Sequence, residues 1–176
     1  MTIESLAVTE LLHKYQAGDR NFQGLKLAKA NLGGADFSGA VLWEVDMSES
    51  NLTGANFHRA DVSNSSFWNC DFAGANLQEV NGTGADFCGA NFQATNLTKV
   101  NFRLAILNRT DLHGLNLSGI NLSKAYLLEA NLAGCNLSDA NLHRAFLYQA
   151  DLSGANLTNG NFGEADLSKQ ELILVA

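Results

Sequence analysis

A period of five residues runs through most of the chain. Every fifth position from Phe22 to Leu172 belongs to a series of 31 centres, and 30 of them are Leu, Phe, Met or Val, with Gly82 as the exception. The position two before the centre is Ala in 16 of the 29 units from Leu25 to Ala165, and it is never charged. The position just before the centre is Asn or Asp in 24 of 31 units. Neither helical nor strand periodicity repeats at five, so the pattern predicts a chain that turns a corner every five residues.

The repeat also predicts how the corners assemble. Two positions of each unit are apolar or small and point inward, whereas three are polar and point outward. Four units then close a square coil of 20 residues, and successive coils stack at the spacing of paired strands, about 4.8 Å. Gly stands at the last position of the unit 11 times, where it supplies the positive φ that a tight corner needs. Residues 20–172 are expected to form an all-β solenoid of nearly eight coils.

These units resemble a known family. Residues 30–34 read Ala-Asn-Leu-Gly-Gly, residues 35–39 read Ala-Asp-Phe-Ser-Gly, and residues 155–159 read Ala-Asn-Leu-Thr-Asn. They resemble the A(D/N)LXX signature of pentapeptide-repeat proteins, and the lead-in over residues 11–22 is similar to that of cyanobacterial members. The resemblance implies the right-handed quadrilateral β-helix, also called the repeat-five-residue fold. It implies little about a task, because one fold hosts many functions.

The two ends of a solenoid must cover its apolar axis. Residues 3–16 carry apolar side chains at helical spacing, and Gly18 follows as a stop signal, so residues 1–19 are predicted to form an N-terminal capping α-helix. A partner-binding helix is the alternative. Residues 173–176 are predicted to be a C-terminal tail, which either folds over the last coil or contacts a second copy end to end. Both possibilities stay open.

Composition restricts the function. A net charge of −7 and a pI near 4.9 argue against direct binding of nucleic acid. No apolar run reaches the roughly 20 residues of a membrane span, and no secretory signal is recognisable, so a cytoplasmic protein that does not bind membranes is expected. The three Cys do not suggest a disulfide framework.

Catalytic chemistry is not expected. The four His fall in the predicted cap and on three different faces, so none joins Cys or carboxylates at metal-ligand spacing. The glycines follow the corner pattern rather than a phosphate-binding loop. We therefore predict no enzyme activity, no cofactor and no metal site.

Residues 20 apart should lie above one another, which divides the surface into four faces. The face centred on residues 27, 47 and so on to 167 is called the aromatic face. Five of the seven departures from Asn or Asp fall on it. Its large outward residues are Trp68, Cys88, Ile106, Tyr126, Leu128, Phe146 and Tyr148. An exposed apolar stripe of this kind often marks an interaction site, although stacking that only stabilises the coils is the alternative.

The other faces are more polar. The face centred on residues 22 to 162 carries a small basic patch that includes Arg103 and Arg144, which suits either ordinary solvation or an acidic partner. On the same face, Gly82 leaves a gap in the axis, and Val80, Val100 and Ile120 are expected to fill it. The face centred on residues 32 to 152 is acidic.

Together these observations predict a non-catalytic scaffold or regulator that presents the aromatic face to a protein partner or to a second copy. Two alternatives remain. The first is a DNA-mimicking binder of a type II topoisomerase, which the resemblance implies for some family members. It needs an acidic rod, and the 11 Lys and Arg of this chain interrupt the acidic surface. The second is a structural rod without a specific partner.

Overall fold

The computed structural model describes residues 3–169, with side chains from residue 8 onward. Helix α1 spans Ile3–Gln16. It ends in a Schellman motif, in which the Asp19 N–H donates to the Lys14 carbonyl and the Gly18 N–H donates to the Tyr15 carbonyl, both at 3.0 Å. Gly18 adopts a φ of 103°, which suits the residue without a side chain. The predicted tail over 173–176 lies outside the described residues.

After α1, the part of the chain that the structure describes contains single-residue β-bridges and no longer strands. All the bridges are parallel, and each joins residues 20 apart, from Asn21↔Val41 to Phe146↔Asp166. The bridged residue is the outward one just before each centre. Four units therefore make one turn of a quadrilateral β-helix, with the register that the period of five predicted.

The unit at 55–59 uses all five of its backbone N–H groups. The N–H groups of Asn56, Phe57 and Arg59 donate to carbonyls of neighbouring coils at 2.9, 2.7 and 3.0 Å. The Ala55 N–H closes the preceding corner at 3.0 Å. The His58 N–H donates to the side-chain oxygen of Asn56 at 3.1 Å. Because proline has no N–H to donate, its absence from the sequence suits coils whose backbone N–H groups are mostly hydrogen-bonded.

The corners are turns with positive φ at the third residue. All 30 last positions of the units from Gly24 to Lys169 have positive φ, 11 of them Gly and 19 of them other residues with φ between 53° and 62°. The residue before each of them does not have positive φ. In most units the centre carbonyl accepts a hydrogen bond from the N–H three residues later, as the Leu27 carbonyl does from Ala30 at 3.2 Å. This combination defines type II turns. The sequence predicted it for the glycines but not for the other 19 positions.

The centre residues fill the axis, and phenylalanines dominate its middle. Phe67 and Phe87 stack at 5.2 Å between ring centroids with 7° between planes, and Phe72 and Phe92 stack at 5.5 Å and 4°. These four side chains are fully buried. Aromatic pairs of this kind contribute beyond the area that they bury, so the axis is a continuous packed core.

The gap at Gly82 is filled by a ring that the sequence analysis did not name. A Cβ placed on Gly82 would lie 2.8 and 2.9 Å from Cδ1 and Cε1 of Phe102, and 3.4 Å from Cε2 of Phe87. The expected filling by Val80, Val100 and Ile120 is therefore not the main one. Phe102 is a large side chain one coil above Gly82, so its ring occupies the space that a shorter centre residue leaves.

Candidate protein-binding face

Outward asparagine and aspartate side chains form ladders on three of the four faces. Each side-chain oxygen accepts the N–H two residues later, as from Gln78 to Asn76 at 3.1 Å. Most of the asparagine amides also donate to the residue one coil earlier, as from Asn76 to Asn56 at 3.0 Å. These side chains satisfy one another and the backbone, so the three faces present an ordered polar surface.

The ladder is interrupted on the aromatic face. Ile106, Tyr126 and Phe146 occupy three successive bridge positions where the other faces carry Asn or Asp. The Tyr126 and Phe146 rings stack at 4.8 Å with 7° between planes. Tyr126 remains 42% exposed and Phe146 45% exposed. The stacked rings thus replace a hydrogen-bonded ladder while keeping much of their apolar area in solvent.

The seven residues predicted for this face fall into two groups. Five of them occupy adjacent positions of two neighbouring columns and are called the aromatic patch: Ile106, Tyr126, Leu128, Phe146 and Tyr148. Ile106, Leu128 and Tyr148 are half-buried.

Trp68, which is 42% exposed, and the half-buried Cys88 form the second group, nearer to α1. Asn108 stands between Cys88 and Leu128 in their column, and its side-chain oxygen accepts the Leu128 N–H at 2.9 Å. Asp86 precedes Ile106 in the other column. The sequence grouped all seven residues, but these polar residues interrupt the stripe between the two groups.

Ion pairs stand at the two corners that border the aromatic patch. Arg144 pairs with Glu164 at 2.8 Å on one side, and Arg109 pairs with Glu129 at 3.0 Å on the other. The hydrogen bond from Arg144 lowers the pKa of the Glu164 carboxyl and raises the pKa of the guanidinium. The patch therefore has an apolar centre between charged corners, as protein interfaces commonly do.

Two further residues belong to this site although the sequence analysis missed them. Leu104 is half-buried at the corner just before Ile106, and it holds a φ of 61°, which is unusual for leucine. The Lys169 ammonium lies 5.5 Å from the centroid of the Tyr148 ring. Both occupy the last position of a unit, Leu104 in the corner column before the patch and Lys169 in the corner column after it. The signal in the sequence was the proximity of these two columns to the aromatic residues.

Neither a metal-binding cluster nor an activated thiol is present among residues 3–169. None of their His, Cys, Asp and Glu residues form a cluster of three or more that could hold a metal. The Cys70 and Cys135 thiols are buried and donate to backbone carbonyls at 2.9 and 2.8 Å. Burial raises the pKa of Cys70 to about 12 and that of Cys135 to about 11. Burial also raises the pKa of Cys88. The thiols therefore stay protonated and are poor nucleophiles at neutral pH.

Comparison with known proteins identifies the repeat. The family model that describes eight copies of the pentapeptide repeat matches at residues 21–54, 30–69, 69–103, 105–144 and 135–169. The chain belongs to the pentapeptide-repeat family. Its fold is therefore the right-handed quadrilateral β-helix, and the resemblance stated from the sequence is confirmed. No curated protein matches the chain, and no helix within residues 3–169 is long and apolar enough to cross a membrane.

Several solved structures resemble this pentapeptide-repeat chain. HetL, involved in heterocyst differentiation regulation in the cyanobacterium Nostoc sp. strain PCC 7120, is 27% identical over 92% of this chain and 95% of its own, with a TM-score of 0.34. The pentapeptide repeat protein alr5209 from Nostoc PCC 7120 is 31% identical over 60% of this chain and 80% of its own, with a TM-score of 0.53. Full-length QnrB1, a plasmid-mediated fluoroquinolone resistance protein, is 15% identical over 86% of this chain and 92% of its own, with a TM-score of 0.47.

Proposed function

We propose that this pentapeptide-repeat chain is a non-catalytic scaffold that binds protein through the aromatic patch. The observation that carries the proposal is the stacked and exposed Tyr126–Phe146 pair, which stands where the other faces carry hydrogen-bonded ladders. Exposed apolar stripes are uncommon on soluble monomers. Aromatic residues are also enriched among the side chains that contribute most to binding.

The rigidity of the patch supports the same role. Parallel bridges join Ile106 to Tyr126 and Tyr126 to Phe146, and their backbones are hydrogen-bonded to the coils on both sides. A partner would therefore meet rings that are already in place, and little conformational entropy would be lost on binding. The dispersed titratable groups and the protonated thiols support a scaffold rather than an enzyme.

We further propose that α1 caps nearly eight coils, with residues 1–19 as the cap, 20–172 as the β-helix and 173–176 as the tail. Leu11 and Tyr15 of α1 are buried against the first coil. The Tyr15 hydroxyl donates to the Ser38 carbonyl at 2.7 Å, and the Arg20 guanidinium lies 3.9 Å from the Tyr15 ring centroid. These contacts suit a helix that covers the apolar axis. The cytoplasmic location stays a prediction.

DNA mimicry is less well supported. A mimic needs rows of uncompensated carboxylates, but four corner glutamates pair with Lys or Arg of a neighbouring coil: Glu49, Glu79, Glu129 and Glu164. On the acidic face, Asp71 and Asp111 accept hydrogen bonds from asparagine amides at 2.9 and 3.0 Å. Inhibition of gyrase supercoiling at micromolar protein would revive this alternative.

Affinity capture from the source cells tests the proposed function. The variant Tyr126→Asn/Phe146→Asn places on the aromatic face the asparagines that form the ladders of the other faces. It should therefore remain folded and lose the captured protein. The matched control is Asn136→Ala/Asn156→Ala, which changes the same coils on the opposite face and removes the bond between those two side chains. We expect the control to capture as the wild type does. If both variants capture the partner equally, the proposal is contradicted. If neither the wild type nor the control captures any protein, the structural rod is favoured.

A further inference from the structure

We propose that the partner of the aromatic patch is a second copy of this chain. The two rods would lie side by side and parallel, related by a two-fold axis that runs along the coils. This inference rests on the proposed function and names the occupant of the same site. It comes from the charges at the two corners that border the patch.

The two-fold axis determines which residues meet. Because each rod presents the same face, one corner of the first rod lies opposite the other corner of the second, and coils meet at equal height. The corner before the patch carries, in successive coils, Leu104, Lys124, Arg144 and Glu164. The corner after the patch carries, in the same coils, Arg109, Glu129, Gln149 and Lys169. The columns can therefore be compared coil by coil.

The facing corners are complementary in this parallel arrangement. Lys124 faces Glu129 of the second copy, and the symmetry makes this pair twice. In the last of these coils, Glu164 faces Lys169 of the second copy. Between them, Arg144 faces Gln149 of the second copy, next to the column that contains Tyr148, where a guanidinium can stack on the ring. Tyr126 and Phe146 lie at the middle of the contact, so the apolar centre and the charged edge are both matched.

An antiparallel arrangement matches the edge charges less well. It sets each corner column against itself with the coil order reversed. If the contact is centred anywhere from Tyr126 to Phe146, then Lys124 or Arg144 meets a cation of the second copy. Like charges at close range cost binding energy and suppress the wrong arrangement. An antiparallel contact centred on Phe146 would pair Lys124 with Glu164 and Glu129 with Lys169, but it would also set Arg144 against itself. Among arrangements that bury the rings, only the parallel one pairs the edge charges without a like-charged contact.

The small size of the patch predicts a weak dimer. Three bridge positions span two coil spacings, about 10 Å, so the contact lies at the low end of specific interfaces. A dissociation constant in the micromolar range, about 1–100 µM, is expected. Because the edge contacts are exposed ion pairs, the dimer should weaken as salt is added.

Sedimentation equilibrium of the full chain tests the inference. The wild type should shift from 18.9 kDa towards twice that mass as its concentration rises. Lys124→Glu and Glu129→Lys each create like-charged edges and should stay monomeric alone. Their equimolar mixture pairs Glu with Lys at both edges and should regain the doubled mass. The controls are Lys99→Glu and Glu79→Lys on a distant corner, since Glu79 pairs with Arg59 at 2.8 Å as Glu129 does with Arg109. Both controls should dimerise as the wild type does.

Each contrary result has a distinct meaning. A wild type that stays monomeric to about 500 µM overturns the second copy as occupant. It leaves the proposed function intact, which fails if the Tyr126→Asn/Phe146→Asn variant keeps the captured protein. A dimer that persists in that double variant places the contact elsewhere and overturns the inference. Charge variants whose mixture stays monomeric overturn the parallel arrangement. Circular dichroism verifies that every variant is folded.

Discussion

Replacing Gly82 by alanine tests the packing of the axis. The added Cβ would lie 2.8 and 2.9 Å from two carbons of the Phe102 ring, whereas carbon atoms pack best at about 3.5–4.0 Å. Phe102 is 1% exposed and its ring lies 4.8 Å from that of Phe87, so it has little room to retreat. We expect Gly82→Ala to destabilise the protein through overpacking.

The magnitude follows from two opposing effects. Overpacking a well-packed core costs about 1–3 kcal/mol. Gly82 does not have positive φ, so alanine also reduces the entropy of the unfolded chain and returns about 0.4–1 kcal/mol. The net loss of unfolding free energy should be about 1–2 kcal/mol. Phe102→Leu alone should also destabilise, by less than the ~3–5 kcal/mol of a full truncation to alanine.

The double variant Gly82→Ala/Phe102→Leu provides the decisive comparison. The shorter leucine makes room for the Cβ, so the combined loss should be smaller than the sum of the two single losses by about 1 kcal/mol. Urea unfolding followed by circular dichroism measures all four proteins, and the transition midpoint serves if unfolding is not two-state. Additive losses, or a Gly82→Ala variant more stable than the wild type, would refute this reasoning.

Two further predictions concern the corners and the thiols. Gly34→Ala should lower the free energy of unfolding by about 1–2 kcal/mol, because Gly34 has a φ of 68° that alanine rarely adopts, although nothing lies near its Cβ position. The adjacent Gly33→Ala lacks positive φ and has its nearest contact at 3.5 Å, so it should be neutral or raise the free energy of unfolding by about 0.4–1 kcal/mol. Equal thermal midpoints for the two variants would contradict the role of the corner. Iodoacetamide at neutral pH should label Cys88 slowly and leave Cys70 and Cys135 unlabelled until the protein unfolds. The reason is that burial raises the pKa of all three thiols. Rapid labelling of Cys70, detected by mass spectrometry, would contradict its burial.

The sequence predicted the register of the fold because the five-residue repeat alone determines which residues lie above one another. A period of five with two inward positions leaves few ways to close a coil, and the bridges between residues 20 apart follow that rule. The sequence did not predict positive φ at residues such as Leu104 and Arg109, whose N–H groups donate to carbonyls of the next coil. Local preference opposes that conformation in both, and only the hydrogen bonds between coils impose it.

The candidate site was predictable in part. The columns identified Tyr126 and Phe146 because both depart from the asparagine rule. The sequence could not show that Asn108 takes over the bond to the Leu128 N–H, which helps to separate Trp68 from the patch. Nor could it show the ion pairs at both edges, because these depend on where long corner side chains reach across coils.

Photo-cross-linking in the source cells tests most directly whether the aromatic patch is the protein-binding site. A photoreactive phenylalanine analogue is placed at Tyr126, which is exposed on the patch, and in a second variant at Asn136, on the opposite face of the same coil. The account predicts a discrete cross-linked protein, or a cross-linked pair of this chain, from position 126 and none from position 136. No adduct from position 126, or equal adducts from both, would contradict it.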